Sequence, residues 1–233
     1  MNTVIFDLDG TLINSLPSIR NSLNRTMERF GYAPVSPERT RELVGNSSRY
    51  LVEHALRDQK KNVSGEEILS VLDAYNADYL LNPIFGTYVY AGILELLNDL
   101  KNQGVKIGVF SNKPESIVYA VLDHFFGQSY FDVVRGFRED TPRKPDPTGL
   151  LKIAKELGIC IGDILYVGDS EVDAEVGERG EVETILVSYG FRSKKILEPL
   201  CYAHICDHVS DLKAVLEGEL AVTKKGKGVN NNI

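Results

Sequence analysis

Cysteine is scarce: three residues, Cys160, Cys201 and Cys206, in a chain of 233. That is too few and too scattered for a disulfide framework, and it suits a reducing compartment. Long apolar runs are missing as well. None approaches the roughly 18–20 residues that a membrane helix needs, so no spanning segment is expected. The first residues, Met1 to Asp7, carry no basic stretch ahead of a long apolar core, and no signal peptide is expected. The expected location is cytoplasmic, where the Asn-x-Ser/Thr triplets at Asn24, Asn46 and Asn62 mean nothing as glycan acceptors. A basic excess is also lacking. Twenty-six Lys and Arg against 33 Asp and Glu leave a net charge of −7. That balance disfavours nucleic acid or an anionic membrane as the main partner. A small anion, held by a few placed groups or through a metal ion, stays compatible with it.

What is present is an alternation of two textures. Short apolar runs at residues 4–6, 105–110, 164–167 and 184–187, with a weaker one at 133–134, end in polar residues and a turn. Continuous β-branched runs of this length predict buried strands of a parallel sheet. Between them lie helical patterns. Ile93, Leu96, Leu97 and Leu100 recur at helical spacing before Gly104; Ile117, Val121 and Leu122 follow Pro114; Leu150, Ile153, Ala154 and Leu157 precede a capping Gly158. Strand–helix alternation predicts an α/β doubly wound parallel sheet.

The stretch from 15 to 82 breaks this rhythm. Three apolar stripes at helical spacing, on Leu16 to Phe30, Leu43 to Leu56 and Ile68 to Leu80, contain no strand pattern. An all-helical insert is expected there, with residues 1–14 and 83–222 forming the core and 223–233 a flexible tail. Nine basic side chains in the insert are matched by nine acids, so it offers no surface for a polyanion.

The chemistry sits where the runs end, at the carboxyl ends of strands, which is where open α/β sheets bind ligands. After the first run come Asp7-Leu8-Asp9-Gly10-Thr11. Two carboxylates with one residue between them can divide labour at phosphorus: one attacks, the other serves as acid and then as base. Ser111-Asn112 supply neutral donors suited to phosphate oxygens. Gly168-Asp169-Ser170 and, a helical turn later, Asp173 add to Asp7 an oxygen-only ligand set of the kind that takes Mg²⁺. Lys144, in Arg143-Lys144-Pro145-Asp146-Pro147, brings a fixed positive charge.

These four segments, in this order and spacing, resemble the motifs of the haloacid dehalogenase superfamily of aspartyl-phosphate phosphatases. The nearer resemblance is to phosphoglycolate phosphatases with a helical cap, carried also by Val44-Gly45-Asn46, Ser111-Asn112-Lys113-Pro114, Phe131-Asp132-Val133-Val134 and Tyr189-Gly190-Phe191-Arg192. It implies a sheet of order 3-2-1-4-5 with the cap inserted just after the first motif. It implies Asp7 as nucleophile, Asp9 as general acid and base, and Lys144 as the balancing charge. Thr11, Ser111, Asn112 and Lys113 would contact the phosphate or the rest of the substrate. Mg²⁺ would be held by Asp7, Asp9 (through its backbone carbonyl), Asp169 and Asp173. The implied substrate is a small phosphorylated metabolite, best 2-phosphoglycolate, and the implied assembly a monomer or homodimer. A pyrophosphatase, a sugar-phosphate phosphatase or a β-phosphoglucomutase-like mutase is the alternative within the superfamily.

The chain departs from the subfamily at Ser47 and His54, where a glycine and an arginine are common, and at Asn14, where an aspartate is. Gly180-Glu181 replaces Ala-Gly, so Gly180 is expected to cap its helix one residue early. Cys201, His204, Cys206 and His208 crowd four possible zinc ligands into eight residues. On a strand they would project in parallel rather than converge tetrahedrally, and a late strand is the expectation there.

Overall fold

The computed structural model describes residues 2–227, with side chains to residue 221. The chain opens with β1 (Thr3–Phe6) and a two-residue strand β2 (Ile13–Asn14), then runs through α1 (Leu16–Arg29), α2 (Pro37–Leu43), α3 (Ser48–Arg57) and α4 (Gly65–Leu81). A second short strand, β3 (Tyr88–Val89), is followed by α5 (Ile93–Asn102), β4 (Lys106–Pro114), α6 (Glu115–Phe125), β5 (Val133–Phe137) and α7 (Thr148–Leu157). The rest is β6 (Ile164–Gly168), α8 (Glu171–Gly180), β7 (Glu183–Val187), α9 (Lys194–Leu197), β8 (His204–Cys206) and α10 (Val209–Lys227).

Six strands form one parallel sheet in the order β5-β4-β1-β6-β7-β8. This is the expected order with a sixth strand added at the edge. All four residues of β1 are buried, because the strand has a neighbour on each side and helices over each face. Alternation of side chains divides the core. Val4, Phe6, Leu165 and Val167 pack on one face, with α5, α6, α10 and the helical insert; Ile5, Ile164 and Tyr166 pack on the other, against Leu150 and Ile153 of α7 and Val176 of α8.

The insert is helical as expected, and each of its four helices follows a serine, three of which cap with the side chain. The side chains of Ser36, Ser47 and Ser64 accept from the backbone N–H groups of Arg39, Tyr50 and Glu67, each cap contributing about 1 kcal/mol. Leu23, Met27, Leu56 and Val71 are fully buried between the helices. The chain leaves and re-enters the sheet through the β2–β3 pair, Ile13 with Val89 and Asn14 with Tyr88, which is too short for periodicity to reveal.

Several local expectations change. β4 does not stop before Ser111; it runs on to Pro114 with a register shift after Phe110. Gly158 ends α7 in the left-handed region at φ +67° as expected. Gly180 does not play that part for α8. It is the last helical residue, and Glu181 takes φ +53° instead. A Cβ on Gly180 would sit 3.3 Å from Pro147 of the neighbouring loop, so the small residue serves packing there. Helix α10 continues to Lys227, past the point at which the tail was expected to begin. Residues 228–233 of that tail lie outside the described residues. No described helix is long and apolar enough to cross a membrane.

Candidate active site

The ends of β1, β4 and β6 meet the insert around a small cavity. Asp7 continues β1, its N–H donating to Val167 O at 2.8 Å. Beyond it the chain turns tightly, with the N–H groups of Leu12 and Ile13 returning to Leu8 O. Gly10 makes this turn at φ +93°, and a Cβ there would come within 2.1 Å of Asp169 Oδ2. The glycine is thus required twice, once by the backbone and once by the carboxylate beside it. On its other side Asp169 Oδ2 accepts from Phe191 N at 2.6 Å.

Lys144 is the centre of a buried network. Its Nζ donates to Asp7 Oδ1 at 2.7 Å, Asp173 Oδ1 at 2.8 Å and Tyr166 OH at 3.0 Å, so its three protons meet three acceptors. The Tyr166 hydroxyl in turn donates to Asp173 Oδ1 at 2.7 Å. Asp173 Oδ2 accepts from the N–H groups of Asp169 and Ser170 and from the Ser170 hydroxyl. Both Asp173 oxygens are therefore committed within the protein, and its part at a metal would be second to that of Asp7 and Asp169.

Asp9 lines the same cavity with partners of its own. Its Oδ1 accepts from Ser15 Oγ at 2.5 Å and from Lys113 Nζ at 2.6 Å. Lys113 is buried and lies 5.0 Å from the centre of the Tyr79 ring.

Charge and burial explain the titration of these groups. Burial above all, with Asp173 and Asp9 adding to it and Lys144 opposing it, leaves the Asp7 carboxyl pushed up to about 7. Asp169 is raised well above the carboxylate range by burial and then by Asp173 and Asp7. Burial also acts upward on Asp173, but Lys144, Ser170 and Tyr166 outweigh it and hold that carboxyl low. Burial acts downward on Lys144, yet Asp173 and Asp7 keep its ammonium above the ordinary lysine value. Oxygens of Asp7, Asp169 and Asp173 lie within 4.8 Å of one another. Three buried carboxylates served by one ammonium form a hard, oxygen-only set with negative charge to spare, which fits a divalent cation.

The sequence-predicted residues are not all placed as expected. Asp7, Asp9, Ser111, Asn112, Lys113, Lys144 and Asp173 all line the cavity. Thr11 does not. Its side chain is fully buried, with the hydroxyl making no hydrogen bond, while its carbonyl accepts from Tyr189 OH at 3.0 Å. Asn112 spends its amide on structure: Oδ1 accepts from Lys144 N at 2.8 Å, and Nδ2 donates to Lys144 O and Gly45 O. It holds the Lys144 loop rather than leaving a donor open for phosphate. Ser111 Oγ accepts from Lys113 N and keeps its own proton to give.

In the insert, Ser47 lines the cavity and caps α3. His54 instead stacks on Tyr50 and bonds its carbonyl, and Arg49 is exposed beside Glu53, so neither lines the cavity. His204 pairs with Glu219 of α10 at 2.9 Å, away from the cysteines next to it in sequence. Sequence reasoning missed Ser15 and Tyr166, which bond Asp9 and Lys144. Tyr166 read as one more apolar residue of its strand, and its hydroxyl is the signal that could have singled it out, since a buried phenol needs a partner.

The haloacid dehalogenase-like hydrolase family matches residues 4–187. The chain belongs to that family. It is 32% identical over 211 residues to phosphoglycolate phosphatase 1 of Pseudomonas aeruginosa, covering 90% of this chain and 77% of that one. It is 35% identical over 191 residues to the phosphoglycolate phosphatase of Aquifex aeolicus, covering 82% and 86%. Among solved structures, a predicted phosphoglycolate phosphatase from Haemophilus somnus superposes with a TM-score of 0.85 at 25% identity, over 93% of this chain and 98% of the other. The protein is therefore a phosphatase of the haloacid dehalogenase superfamily, with a phosphoglycolate phosphatase-like sequence, acting on a small phosphorylated substrate.

Proposed function

We propose that the protein hydrolyses small phosphomonoesters with Mg²⁺ through an aspartyl phosphate on Asp7, and that 2-phosphoglycolate is its substrate. The observation that carries this reading is the pair Asp7 and Asp9, facing one cavity and held by separate lysines, Lys144 and Lys113. In the first half-reaction an Asp7 oxygen bonds to phosphorus as the ester P–O bond breaks, and Asp9 gives its proton to the departing alkoxide. In the second, the Asp9 carboxylate takes a proton from water, the water oxygen bonds to phosphorus, and the bond to Asp7 breaks. Asp7 is free again and inorganic phosphate leaves.

Lys144 balances the charge on Asp7 and the phosphoryl group, and the Ser111 hydroxyl donates to a phosphoryl oxygen. Mg²⁺ would sit on Asp7, Asp169 and the Asp9 carbonyl, with Asp173 behind them, and when bound it neutralises phosphoryl oxygens as charge develops.

The size of the cavity favours a small leaving group. At about 70 Å³ it falls well short of the roughly 300 Å³ at which ordinary ligand pockets begin. On the insert side, Asn46, Ser47 and Ser48 at the start of α3 face it, and a helix N-terminus favours a carboxylate. Residues 15–82 act in this reading as a cap that opens for substrate and closes to exclude water, in a cytoplasmic enzyme.

The deciding experiment is phosphate release with Mg²⁺ from 2-phosphoglycolate, pyrophosphate, a nucleoside monophosphate and hexose phosphates. The expected result is a clear kcat/KM preference for 2-phosphoglycolate. Equal or higher kcat/KM for another phosphate overturns the substrate, and an active Asp7→Asn variant overturns the nucleophile.

A further inference from the structure

Arg192 follows β7, and its side chain is 93% buried against other parts of the protein. Its Nη1 donates to Arg41 O at 2.8 Å, and its Nη2 to Val44 O at 2.9 Å and Glu42 O at 3.4 Å. These carbonyls close α2, where the helix leaves acceptors unsatisfied and a cation is favoured. The Nε donates to both oxygens of Glu171, at 2.8 and 3.1 Å, in the first turn of α8. One guanidinium therefore joins the end of α2 in the insert to the helix that follows Asp169 and Ser170.

The base on which it stands is itself fixed. Phe191 N holds Asp169 Oδ2, and Tyr189 OH holds Thr11 O. On the other side of the contact, the chain leaves Val44 straight into residues 45–48, which roof the cavity. A second tie reaches the same segment from the sheet, where Asn112 Nδ2 donates to Gly45 O at 3.3 Å.

We propose that Arg192 is the latch that holds residues 44–48 over the active site, a positioning residue that sets how tightly substrate binds. The proposal rests on the phosphatase reading of the site and on closure of the cap above it. Arg192 touches no reacting atom. Its effect runs through the fraction of molecules whose roof is in place before substrate arrives. When only the closed form binds productively, the apparent dissociation constant equals the intrinsic one divided by that fraction. Removing the latch then raises KM while saturating substrate restores the closed form and with it kcat. A guanidinium is suited to this because its planar fork serves Glu171 through one nitrogen and three carbonyls through the others. A lysine has a single point of attachment.

The test compares wild type, Arg192→Ala and Arg192→Lys in steady-state kinetics on the best phosphomonoester of the panel. Peptide-level hydrogen exchange on residues 44–48 accompanies it. Arg192→Ala is expected to raise KM about tenfold with kcat within about twofold, as a tenfold loss of closed form requires. Arg192→Lys should fall between it and wild type. Exchange at 44–48 should quicken in Arg192→Ala while β1 and β6 stay as protected as before. A fall in kcat at unchanged KM would mean lost active enzyme rather than a lost latch and would overturn the proposal, as would unchanged exchange at 44–48. Should Arg192→Ala fail to fold, Glu171→Gln, which loosens the anchor of the same guanidinium, must move KM and exchange in the same direction to a smaller extent. If wild type hydrolyses no phosphomonoester, the phosphatase reading fails, and the exchange comparison still decides the latch.

Discussion

Lys144, Asp7, Asp173 and Tyr166 are each nearly sealed from solvent, so each depends on the others for its polar partners. The Tyr166 hydroxyl serves two of them, and Tyr166→Phe takes away a donor to Asp173 and an acceptor from Lys144 while their direct contact survives. A net loss of about 1 kcal/mol is expected, read as a lower urea midpoint at unchanged slope, with kcat lowered because Lys144 is less firmly placed. Asp7 gives a pH-dependent prediction for the metal-free protein. Its carboxyl rises from an ordinary 3.8 to about 7 on folding, so between those values the folded state binds more protons than the unfolded one. Stability must then fall as pH rises from about 4 to about 7, and level off above. Asp7→Asn lacks this component. Its advantage in Tm over wild type, both without metal, should grow across that window and stay constant beyond it, and a pH-independent gap would refute the assignment.

At the scale of elements, the α8 terminus shows a local conflict that the fold tolerates. Glu181 adopts φ +53°, a conformation that costs an L-residue roughly 1–2 kcal/mol and glycine almost nothing. Its side chain is exposed. Glu181→Gly is therefore expected to stabilise the protein by about 1 kcal/mol, seen as a higher Tm with activity unchanged. The same turn shows how far local patterns can be read. Glycine at 180 looks like a helix stop, and the helix does end there, but it is Glu181 that is left-handed, while Gly180 leaves room for Pro147. β4 is a similar case. Its apolar run is legible, whereas its continuation through Ser111 and Asn112 depends on pairing of Pro114 with Phe137 of the neighbouring strand.

For the whole molecule, the arrangement concentrates uncompensated carboxylates where three strand ends meet, and a bound cation should stabilise everything attached to them. Mg²⁺ at a hundred times its dissociation constant is expected to add about 2.7 kcal/mol to the stability of the native state. Thermal unfolding should show this in wild type at neutral pH, and Asp169→Asn should remove most of it. A Tm insensitive to Mg²⁺ in wild type would refute the metal site. The comparison uses no substrate, so it tests the carboxylates independently of catalysis.

The strands of the parallel sheet, their order along the chain and the paired carboxylates at the end of the first were legible in the sequence, because each is written in consecutive residues: an apolar run, a turn, a paired Asp. Parallel β1, β4 and β6 then bring Asp7, Ser111 and Asp169 to one edge with little freedom left. Other assignments required contacts between residues far apart. Lys113 reaches Asp9 across 104 residues, and Arg192 reaches Arg41 across 151. Whether Asn112 gives its amide to a phosphate or to the Lys144 backbone, and whether Tyr166 is core or network, turns on ångström-scale geometry between such segments. A hydrogen bond is lost within about an ångström of displacement and beyond a modest angle. No one-dimensional pattern carries that information, and only packing of the finished fold sets it.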